Sequence, residues 1–353
     1  MAAPTVLRRL ALIAAGVLCG ALGAEVVLRH VDTIPEVAYP LYSFHESDPV
    51  LGWRGKPDVR MRFRRPEFDA LIEHGPDGWR RPEPPPPTNP AHRVLVLGDS
   101  FTWGWGISQG EVFTDVLQRR LPGSVGVYNR GADGFGTAQE YLLLERELAE
   151  RPYDSVAVMF FQNDVADNVD PKHGRRPLFA LEGDALVPRN QPPRPLLSPL
   201  QRLLKDHSRA FQLLDFEFDQ LARRLEGDAY DFTPAAGAAD IDYHGLPGAA
   251  VTVRLLVEMH RVAAAHGARL VLVYVPHRSE IEELRSPYPY IRAVHAMIGD
   301  VAARQGIPLV DLSGPFHEQA QRGRQLTFTH DEHWTPAGHE VAAQALLSSP
   351  LFE

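Results

Sequence analysis

Short apolar runs alternate along most of the chain with segments in which apolar residues recur at helical spacing. The runs lie at residues 94–97, 125–128, 155–161, 270–275 and 308–312. Apolar runs without polar alternation are typical of strands that are covered on both faces. Helical spacing occupies residues 112–121, 138–150, 249–265 and 290–305. The pattern predicts an α/β protein with a three-layer α/β/α, flavodoxin-like arrangement around a central parallel sheet.

Two stretches interrupt this alternation. Residues 31–91 are aromatic and proline-spaced, and they end in a proline run that cannot enter the interior of a helix or sheet. We interpret them as a membrane-proximal segment and an extended spacer. Residues from about 170 to 248 contain several prolines and a predicted helix at 199–225. We interpret them as an insertion in a domain of residues 92–353.

The N-terminus carries a longer apolar stretch. Arg8 and Arg9 precede residues 10–24, which are apolar on all faces, and the stretch resumes after Glu25. Positive charge before an apolar run indicates that the N-terminus stays inside. We predict that residues 1–30 form an uncleaved signal anchor. The protein would then be a single-pass protein of a bacterial inner membrane, with the rest of the chain outside the cytoplasm. Cleavage near Ala24, which would give a secreted or periplasmic protein, is the alternative.

Charge and cysteine content exclude several classes of function. The 36 basic and 45 acidic side chains give a formal net charge of −9, and no basic cluster stands out in the sequence after the N-terminal stretch. Nucleic acid is therefore excluded as a partner. The single cysteine, Cys19, lies inside the apolar N-terminal stretch. The remainder of the chain therefore has no disulfide, cysteine metal site or cysteine nucleophile.

Ser100 is the candidate nucleophile. It follows the first predicted strand directly, at the position where ligands collect in open parallel sheets. Gly98 permits a sharp turn, and the amide of Ser100 can point toward an oxygen that becomes negative during attack. The nearby glycines fit neither the dinucleotide-binding spacing nor the end of a phosphate-binding loop. A purely structural turn is the alternative.

His333 is the candidate base, since a serine hydroxyl needs a base that is itself oriented. Thr335 is predicted to cap a helix that starts at Pro336, which places His333 in the preceding loop. Asp331 lies two residues before His333 and faces the same side in extended backbone, so its carboxylate can orient the ring. His330, Asp331 and His333 could instead bind a metal, but the chain has no H-E-x-x-H helix. We predict neither a metal nor a cofactor.

In these motifs the chain resembles the SGNH/GDSL hydrolases. The segment Gly98-Asp99-Ser100 is similar to the first sequence block of that family, and Asp331 with His333 is similar to its fifth block. The resemblance implies the SGNH hydrolase fold and a catalytic triad of these three side chains. It also implies an oxyanion hole in which Gly134 contributes a backbone amide and Asn163 a side-chain amide, beside the amide of Ser100.

Two positions depart from the family pattern. Phe161 stands where the third block has a glycine, two places before the asparagine. The acid lies two rather than three places before His333, and His330 occupies its usual place. Because Trp334 follows the histidine, the resulting Asp-x-His-Trp pattern is similar to the alginate acetyltransferase-like branch. The resemblance therefore implies acyl transfer as an alternative to hydrolysis.

The sequence thus predicts a serine esterase or O-acyltransferase acting on O-acetyl or short acyl esters of envelope glycans or similar polar molecules. Three aromatic residues flank the sequence blocks and are predicted to line the substrate pocket, with placement in the core as the alternative: Trp103, Trp105 and Phe135. Arg175 and Arg176 are expected to be solvated. Two other functions stay open, a catalytically silent carbohydrate-binding or assembly protein on the same fold, and a lipase or lysophospholipase with an apolar lid in the insertion.

Overall fold

The computed structural model describes residues 3–30, 40–169, 174–190, 193–214, 218 and 239–353. The chain divides into a smaller compact unit, Met1–Tyr39 with Leu197–Ala229, and a larger one, Pro40–Leu196 with Tyr230–Glu353. The strands in the described ranges are β1 (His45–Asp48), β2 (Gly52–Gly55), β3 (Arg60–Arg65), β4 (Phe68–Glu73), β5 (His92–Gly98), β6 (Val125–Asn129), β7 (Ser155–Phe160), β8 (Phe179–Glu182), β9 (Ala185–Pro188), β10 (Arg269–Tyr274) and β11 (Leu309–Asp311).

The helices are referred to by their residue ranges. In chain order they are Ala3–His30, Pro40–Phe44, Ser100–Trp103, Phe113–Arg120, Thr137–Glu150, Asp164–Asp167, Pro199–His207, Ala249–Ala265, Arg278–Glu283, Pro289–Gln305, Ser313–Gln321 and Pro336–Leu347. Residues 209–214 are also helical. Among the described residues, short 3-10 helices lie at Tyr243–Gly245 and Pro350–Phe352.

A five-stranded parallel sheet forms the centre of the larger unit, in the order β11-β10-β7-β5-β6. The central strand β5 pairs with both neighbours, so Val96 lies opposite Asn129 on β6 and Ala157 on β7. Every residue of β7 is buried. This burial explains why the strand is an apolar run rather than an alternating pattern.

Helices cover both faces of this sheet. Phe113–Arg120, Ser313–Gln321 and Pro336–Leu347 contribute to one hydrophobic cluster with Val94 and Val96 of β5. Thr137–Glu150, Ala249–Ala265 and Pro289–Gln305 pack together as the other layer. The predicted three-layer α/β/α fold is therefore confirmed. The predicted helix at 249–265 coincides with the observed one, because its apolar face and its ends are both marked in the sequence.

The segment before the sheet differs from the spacer that the sequence predicted. Of residues 31–91, the described part, 40–91, belongs to the larger unit and forms two antiparallel hairpins, β1–β2 and β3–β4. The side chains of Phe63 and Ile72 are fully buried. Arg80, just before the proline run, is also buried and donates a hydrogen bond to the carbonyl of Ile107 at 2.8 Å. The segment packs on the rest of the unit because it supplies apolar side chains to that unit's core.

The N-terminal segment corrects the predicted localisation. Residues Ala3–His30 are helical, but no helix among the described residues is long and apolar enough to cross a membrane. The uninterrupted apolar stretch, 10–24, is shorter than the roughly 20 residues that a span requires. It ends at Glu25, whose carboxylate accepts hydrogen bonds from the backbone N–H groups of Arg209 and Ala210 at 3.0 Å each. The predicted localisation, a single-pass protein of an inner membrane, is therefore wrong.

The predicted insertion at 170–248 divides between the two units. Its first part carries the hairpin β8–β9 and belongs to the larger unit. The helix Pro199–His207 belongs to the smaller unit and is capped by Ser198, whose hydroxyl accepts a hydrogen bond from the N–H of Gln201 at 3.3 Å. Of the helix predicted at 199–225, residues 215–217 and 219–225 lie outside the described residues.

Candidate active site

Ser100 lies at the carboxyl edge of the sheet, as the first residue of a short helix directly after β5. The carboxylate of Asp99 caps this helix by accepting a hydrogen bond from the N–H of Phe101 at 2.9 Å. A Cβ atom at Gly98 would approach the hydroxyl oxygen of Thr102 to 2.1 Å, so the turn requires glycine. As the first residue of the helix, Ser100 presents an N–H that has no acceptor within the helix itself.

His333 connects the serine to a carboxylate. Its Nε2 atom lies 2.7 Å from the Oγ atom of Ser100, and its Nδ1 atom is hydrogen-bonded to the carboxylate of Asp331. Asp331 Oδ1 also accepts the backbone N–H of His333 at 2.9 Å, which fixes the carboxylate relative to the ring. With Nδ1 donating to Asp331, the neutral ring keeps Nε2 as an acceptor that faces the serine hydroxyl.

The charge of Asp331 sets the basicity of His333. Burial lowers the pKa of His333, but the hydrogen bond and negative charge of Asp331 outweigh burial, and the pKa is raised above its usual value. Burial alone would raise the pKa of Asp331. The hydrogen bonds and charge of His333 instead hold it below the usual range. The pair is therefore poised with an ionised acid and a base stronger than a free imidazole.

The three aromatic residues predicted to line a pocket separate in the structure. Trp105 stacks on the ring of His333, with a centroid distance of 4.9 Å and an interplanar angle of 17°. Trp103 is only 1% exposed and packs against Phe44 at 5.3 Å, and Phe135 is 0% exposed. The prediction of a pocket position is therefore corrected for Trp103 and Phe135. Both side chains are core residues, because the segment before the sheet covers them.

The loops that carry Gly134 and Asn163 flank the nucleophile. They follow β6 and β7, the two neighbours of β5 in the sheet. The N–H of Ala132 donates to the carbonyl of Gly98 at 3.2 Å, and the ring of Phe161 lies 4.6 Å from that of Phe101. Both loops therefore lie at the same edge of the sheet as Ser100.

Sequence reasoning missed Arg176, which was expected to be solvated. Arg176 is only 8% exposed. Its guanidinium donates two hydrogen bonds to the carbonyl of Gly134, from Nε at 3.1 Å and from Nη2 at 2.9 Å. Its Nη1 atom donates to Asp167 at 2.8 Å. No local sequence signal marks this position, since Arg176 stands in the proline-rich insertion, far along the chain from Gly134.

The loop before His333 is held by two residues that the sequence did not single out. The carboxylate of Glu67, in the turn of the β3–β4 hairpin, accepts the backbone N–H groups of Thr329 and His330. Arg278 donates to the carbonyl of Thr329 at 3.0 Å. The backbone that presents the base and its acid is thus fixed from two sides.

Several carboxyl groups near the site are buried. Burial raises the pKa of Asp99 to about 7, although the N–H of Phe101 opposes this shift. Burial also raises the pKa of Glu140 and of Asp164 well above the usual range, and the charges of these neighbours reinforce the effect. Within the described ranges, no group of three or more His, Cys, Asp or Glu side chains is arranged to hold a metal ion.

Most of the chain matches the model of a known protein family. Residues 96–341, more than half of the chain, match the GDSL-like Lipase/Acylhydrolase family. A probable alginate O-acetylase, AlgJ, of Pseudomonas putida is 32% identical over 127 residues, which cover 34% of this chain and 30% of that protein. The chain therefore matches less than a third of the length of this relative.

Solved structures are also similar to this chain. A member of the lipolytic protein G-D-S-L family from Veillonella parvula is 15% identical, with 73% of this chain and 97% of that chain covered and a TM-score of 0.42. A catalytic mutant of the acetylxylan esterase Axe2 from Geobacillus stearothermophilus is 13% identical, with 73% and 94% covered and a TM-score of 0.42.

Proposed function

This chain belongs to the GDSL-like lipase/acylhydrolase family and is an ester hydrolase or acyltransferase, and we propose that Ser100, His333 and Asp331 carry its reaction. The observation that supports this assignment is the continuous hydrogen-bonded series from the serine hydroxyl through His333, at 2.7 Å, to Asp331. A serine with an oriented base in reach is the arrangement that nucleophilic acyl transfer requires.

The first half of the reaction acylates the serine. Ser100 Oγ attacks the carbonyl carbon of the ester while His333 Nε2 takes the hydroxyl proton. Asp331 stabilises the imidazolium that forms. The amides of Ser100 and Gly134 and the side chain of Asn163 donate hydrogen bonds to the oxyanion. Loss of one such donor typically raises the barrier by about 3 kcal/mol.

The second half releases the acyl group. The tetrahedral intermediate collapses, His333 returns its proton to the leaving alcohol, and the acyl group stays on Ser100. A second hydroxyl then attacks the acyl-serine while His333 again acts as base. The bond between the acyl carbon and Ser100 Oγ breaks, and His333 returns the proton to Oγ, which restores the serine hydroxyl. Water as this nucleophile gives hydrolysis, and the hydroxyl group of another molecule gives acyl transfer.

For the substrate, we propose O-acetyl or short acyl esters of polysaccharides or similar polar alcohols. Two observations favour this class. The relative from Pseudomonas putida is named as a probable alginate O-acetylase. The pattern Asp331-Glu332-His333-Trp334 is similar to that of the alginate acetyltransferase-like branch. In this pattern Trp334 is fully buried and packs against Phe316 at 4.8 Å, so it supports the loop and is not available to substrate.

A fluorophosphonate probe and a series of aryl esters test the proposed residues. We expect the wild type to be labelled and to turn over aryl acetate, and Ser100→Ala to do neither. Ser124→Ala, a change at an exposed serine outside the site, should behave as the wild type. A folded wild type that is neither labelled nor active would favour the catalytically silent binding protein.

Esters with acyl chains of different lengths, and different acceptor alcohols, test the proposed substrate class. We expect acetyl esters to be better substrates than long-chain esters, and acetylated polysaccharide to lose acetate or to exchange it with added sugar. A strong preference for long acyl chains would instead support the lipase or lysophospholipase alternative. The ratio of acyl-sugar to free acid in the products separates transfer from hydrolysis.

A further inference from the structure

We propose that Trp53, Asp167 and Arg176 form an oxyanion clamp, a set of side chains that aims the two loop donors Gly134 and Asn163 at the developing oxyanion. Arg176 is its central positioning residue. The proposal rests on the function proposed above, because it assigns a role in that reaction to residues that do not touch the substrate.

The first half of the clamp fixes the peptide between Asp133 and Gly134. The carbonyl oxygen of Asp133 accepts a hydrogen bond from Trp53 Nε1 at 2.9 Å. In a planar trans peptide the C=O and N–H groups point in opposite directions. The hydrogen bond from Trp53 therefore sets the direction of the Gly134 N–H, which is the proposed donor to the oxyanion.

Arg176 fixes the other side of the same residue. Its Nε and Nη2 atoms hold the carbonyl oxygen of Gly134 at 3.1 and 2.9 Å. Gly134 has a φ of 70°, in the left-handed region, where a residue without support is free to leave for other conformations. With the peptides before and after Gly134 both held, its N–H is pre-organised before substrate binds.

The second half of the clamp orients Asn163. Asp167 Oδ2 accepts a hydrogen bond from Asn163 Nδ2 at 3.1 Å, and Asp167 Oδ1 accepts one from Arg176 Nη1 at 2.8 Å. An amide nitrogen carries two hydrogens, so the second hydrogen of Asn163 can be donated to the oxyanion. One guanidinium thus connects the loop after β6 to the loop after β7.

Burial and shape favour arginine at this position. The side chains of Arg176 and Asp167 are both buried, and the guanidinium lies 5.6 Å from the ring centroid of Trp53. Charge-assisted hydrogen bonds are stronger when water is excluded. A guanidinium presents several donors in a rigid plane, whereas a lysine ammonium cannot span both partners in the same way.

The rival explanation is that Arg176 only anchors the chain segment around it. That segment has other anchors. The N–H of Leu178 donates to Asn190 at 2.6 Å, and Phe179 is buried in a cluster with Val251 and Leu255. Removal of the guanidinium alone should therefore leave the segment in place and loosen the two donor loops.

Steady-state kinetics with an aryl acetate and binding of an aryl boronic acid, a transition-state analogue, test the clamp. Misplacement of catalytic groups by about 1 Å can cost about a hundredfold. We expect Arg176→Ala to lower kcat by about a hundredfold with KM changed by less than about twofold, and to weaken boronate binding in parallel. Arg176→Lys should lower kcat by about tenfold, since it restores one contact of three.

The matched control is Arg175→Ala. Arg175 is the neighbouring arginine, but it donates to the hydroxyl of Tyr42 at 2.8 Å and not to either donor loop. We expect kcat to stay within about twofold of the wild type. Guanidinium ion, at concentrations below those that unfold the wild type, should restore part of the kcat of Arg176→Ala, whereas urea and sodium chloride should not.

The outcomes separate the clamp from the proposed function. If the wild type is active and labelled, but Arg176→Ala keeps the wild-type kcat or changes only KM, the clamp alone is overturned. If Arg176→Ala does not fold, full kcat in a folded Arg176→Lys overturns the clamp, and a reduced kcat with weakened boronate binding supports it. A wild type that is neither labelled nor active overturns the proposed function and the clamp with it.

Discussion

Two histidines in the described part of the chain each contact carboxylates and stack on an aromatic ring, but their surroundings give them different chemistry. His333 has one carboxylate on Nδ1 and a serine hydroxyl on Nε2. His295 has a carboxylate on each nitrogen, Glu280 at 2.7 Å and Asp311 at 3.0 Å. The two sites use similar residues, and they differ in what faces the second ring nitrogen.

The second carboxylate turns a base into a fixed cation. Burial lowers the pKa of His295, but hydrogen bonds and charge from Asp311 and Glu280 outweigh burial and raise it to about 9. Both ring nitrogens then carry protons at neutral pH and neither can accept one. His333 keeps one nitrogen directed at Ser100. In this protein, the carboxylate at the second ring nitrogen separates the structural histidine, His295, from the candidate base, His333.

The two histidines should differ most in what happens to turnover when each imidazole ring is removed. We expect His333→Ala to lower kcat/KM on an aryl acetate by about a millionfold, because the serine loses its base, and to change the free energy of unfolding by less than about 1 kcal/mol. His295→Ala should keep kcat/KM within about twofold. Turnover kinetics and urea unfolding check both. Near-normal turnover by His333→Ala would refute the assignment of the base.

Replacing the carboxylate beside each histidine should affect the pH dependence of kcat/KM differently. Asp331→Asn should lower kcat/KM by about ten-thousandfold through loss of the required tautomer. In the wild type, kcat/KM falls as the pH drops through the pKa of His333. Because Asp331 raises that pKa, the residual activity of Asp331→Asn should fall off at a lower pH. Asp311→Asn, the control at His295, should leave the wild-type pH profile unchanged. An unshifted profile in Asp331→Asn would argue against its contact with the base.

Replacing His295 should change the free energy of unfolding rather than the rate of turnover. The pKa of His295 rises from 6.5 to about 9 on folding, so its contribution is complete below pH 6.5 and is lost as the pH rises from 6.5 through 9. Allowing for partial exposure, we expect His295→Gln to cost about 1–2 kcal/mol at pH 6 and almost nothing at pH 10. Urea unfolding at the two pH values measures this difference. A cost that does not change with pH would show that the positive charge of His295 does not stabilise the fold.

Glu140 extends the comparison to a carboxyl without a histidine partner, and the effect expected at pH 5 is the smallest. The residue is 0% exposed, neither carboxyl oxygen has a hydrogen-bond partner among the described residues, and burial raises its pKa well above 4.5. The stability of the wild type relative to Glu140→Gln is therefore highest at acidic pH and declines as the pH rises through the pKa of the folded state.

We expect the difference in the free energy of unfolding between wild type and Glu140→Gln to be below about 1 kcal/mol at pH 5 and to shift toward the variant by pH 8. Thermal or urea unfolding at several pH values would show it. A wild type that gains stability over the variant with rising pH would contradict the buried neutral carboxyl.

The parts of the molecule that the sequence predicted are those with local signals. The five apolar runs became the five parallel strands, since a strand buried on both faces must be apolar throughout. The glycine before Ser100 and the cap at Thr335 also mark their own turns. The predicted SGNH/GDSL family is confirmed by the match over residues 96–341.

The parts that could not be predicted depend on contacts between distant segments. Arg176 and Glu67 stand in stretches without periodicity, and each is defined only by a loop that the fold brings to it. Trp103 and Trp105 are two residues apart, but one is covered by the segment before the sheet and the other reaches His333. Hydrophobicity alone cannot separate such neighbours, because burial depends on what packs against them.

The bracing of the His333 loop by Glu67 has a consequence for how the protein is made. Glu67 and His330 are 263 residues apart, and Ser100 and His333 are 233 residues apart. Contacts between such distant segments close large loops and are formed late and slowly during folding. A growing chain emerges from the ribosome with its serine long before its base. The nucleophile therefore stays inactive until synthesis has passed His333 and the newest segment has docked on one of the oldest.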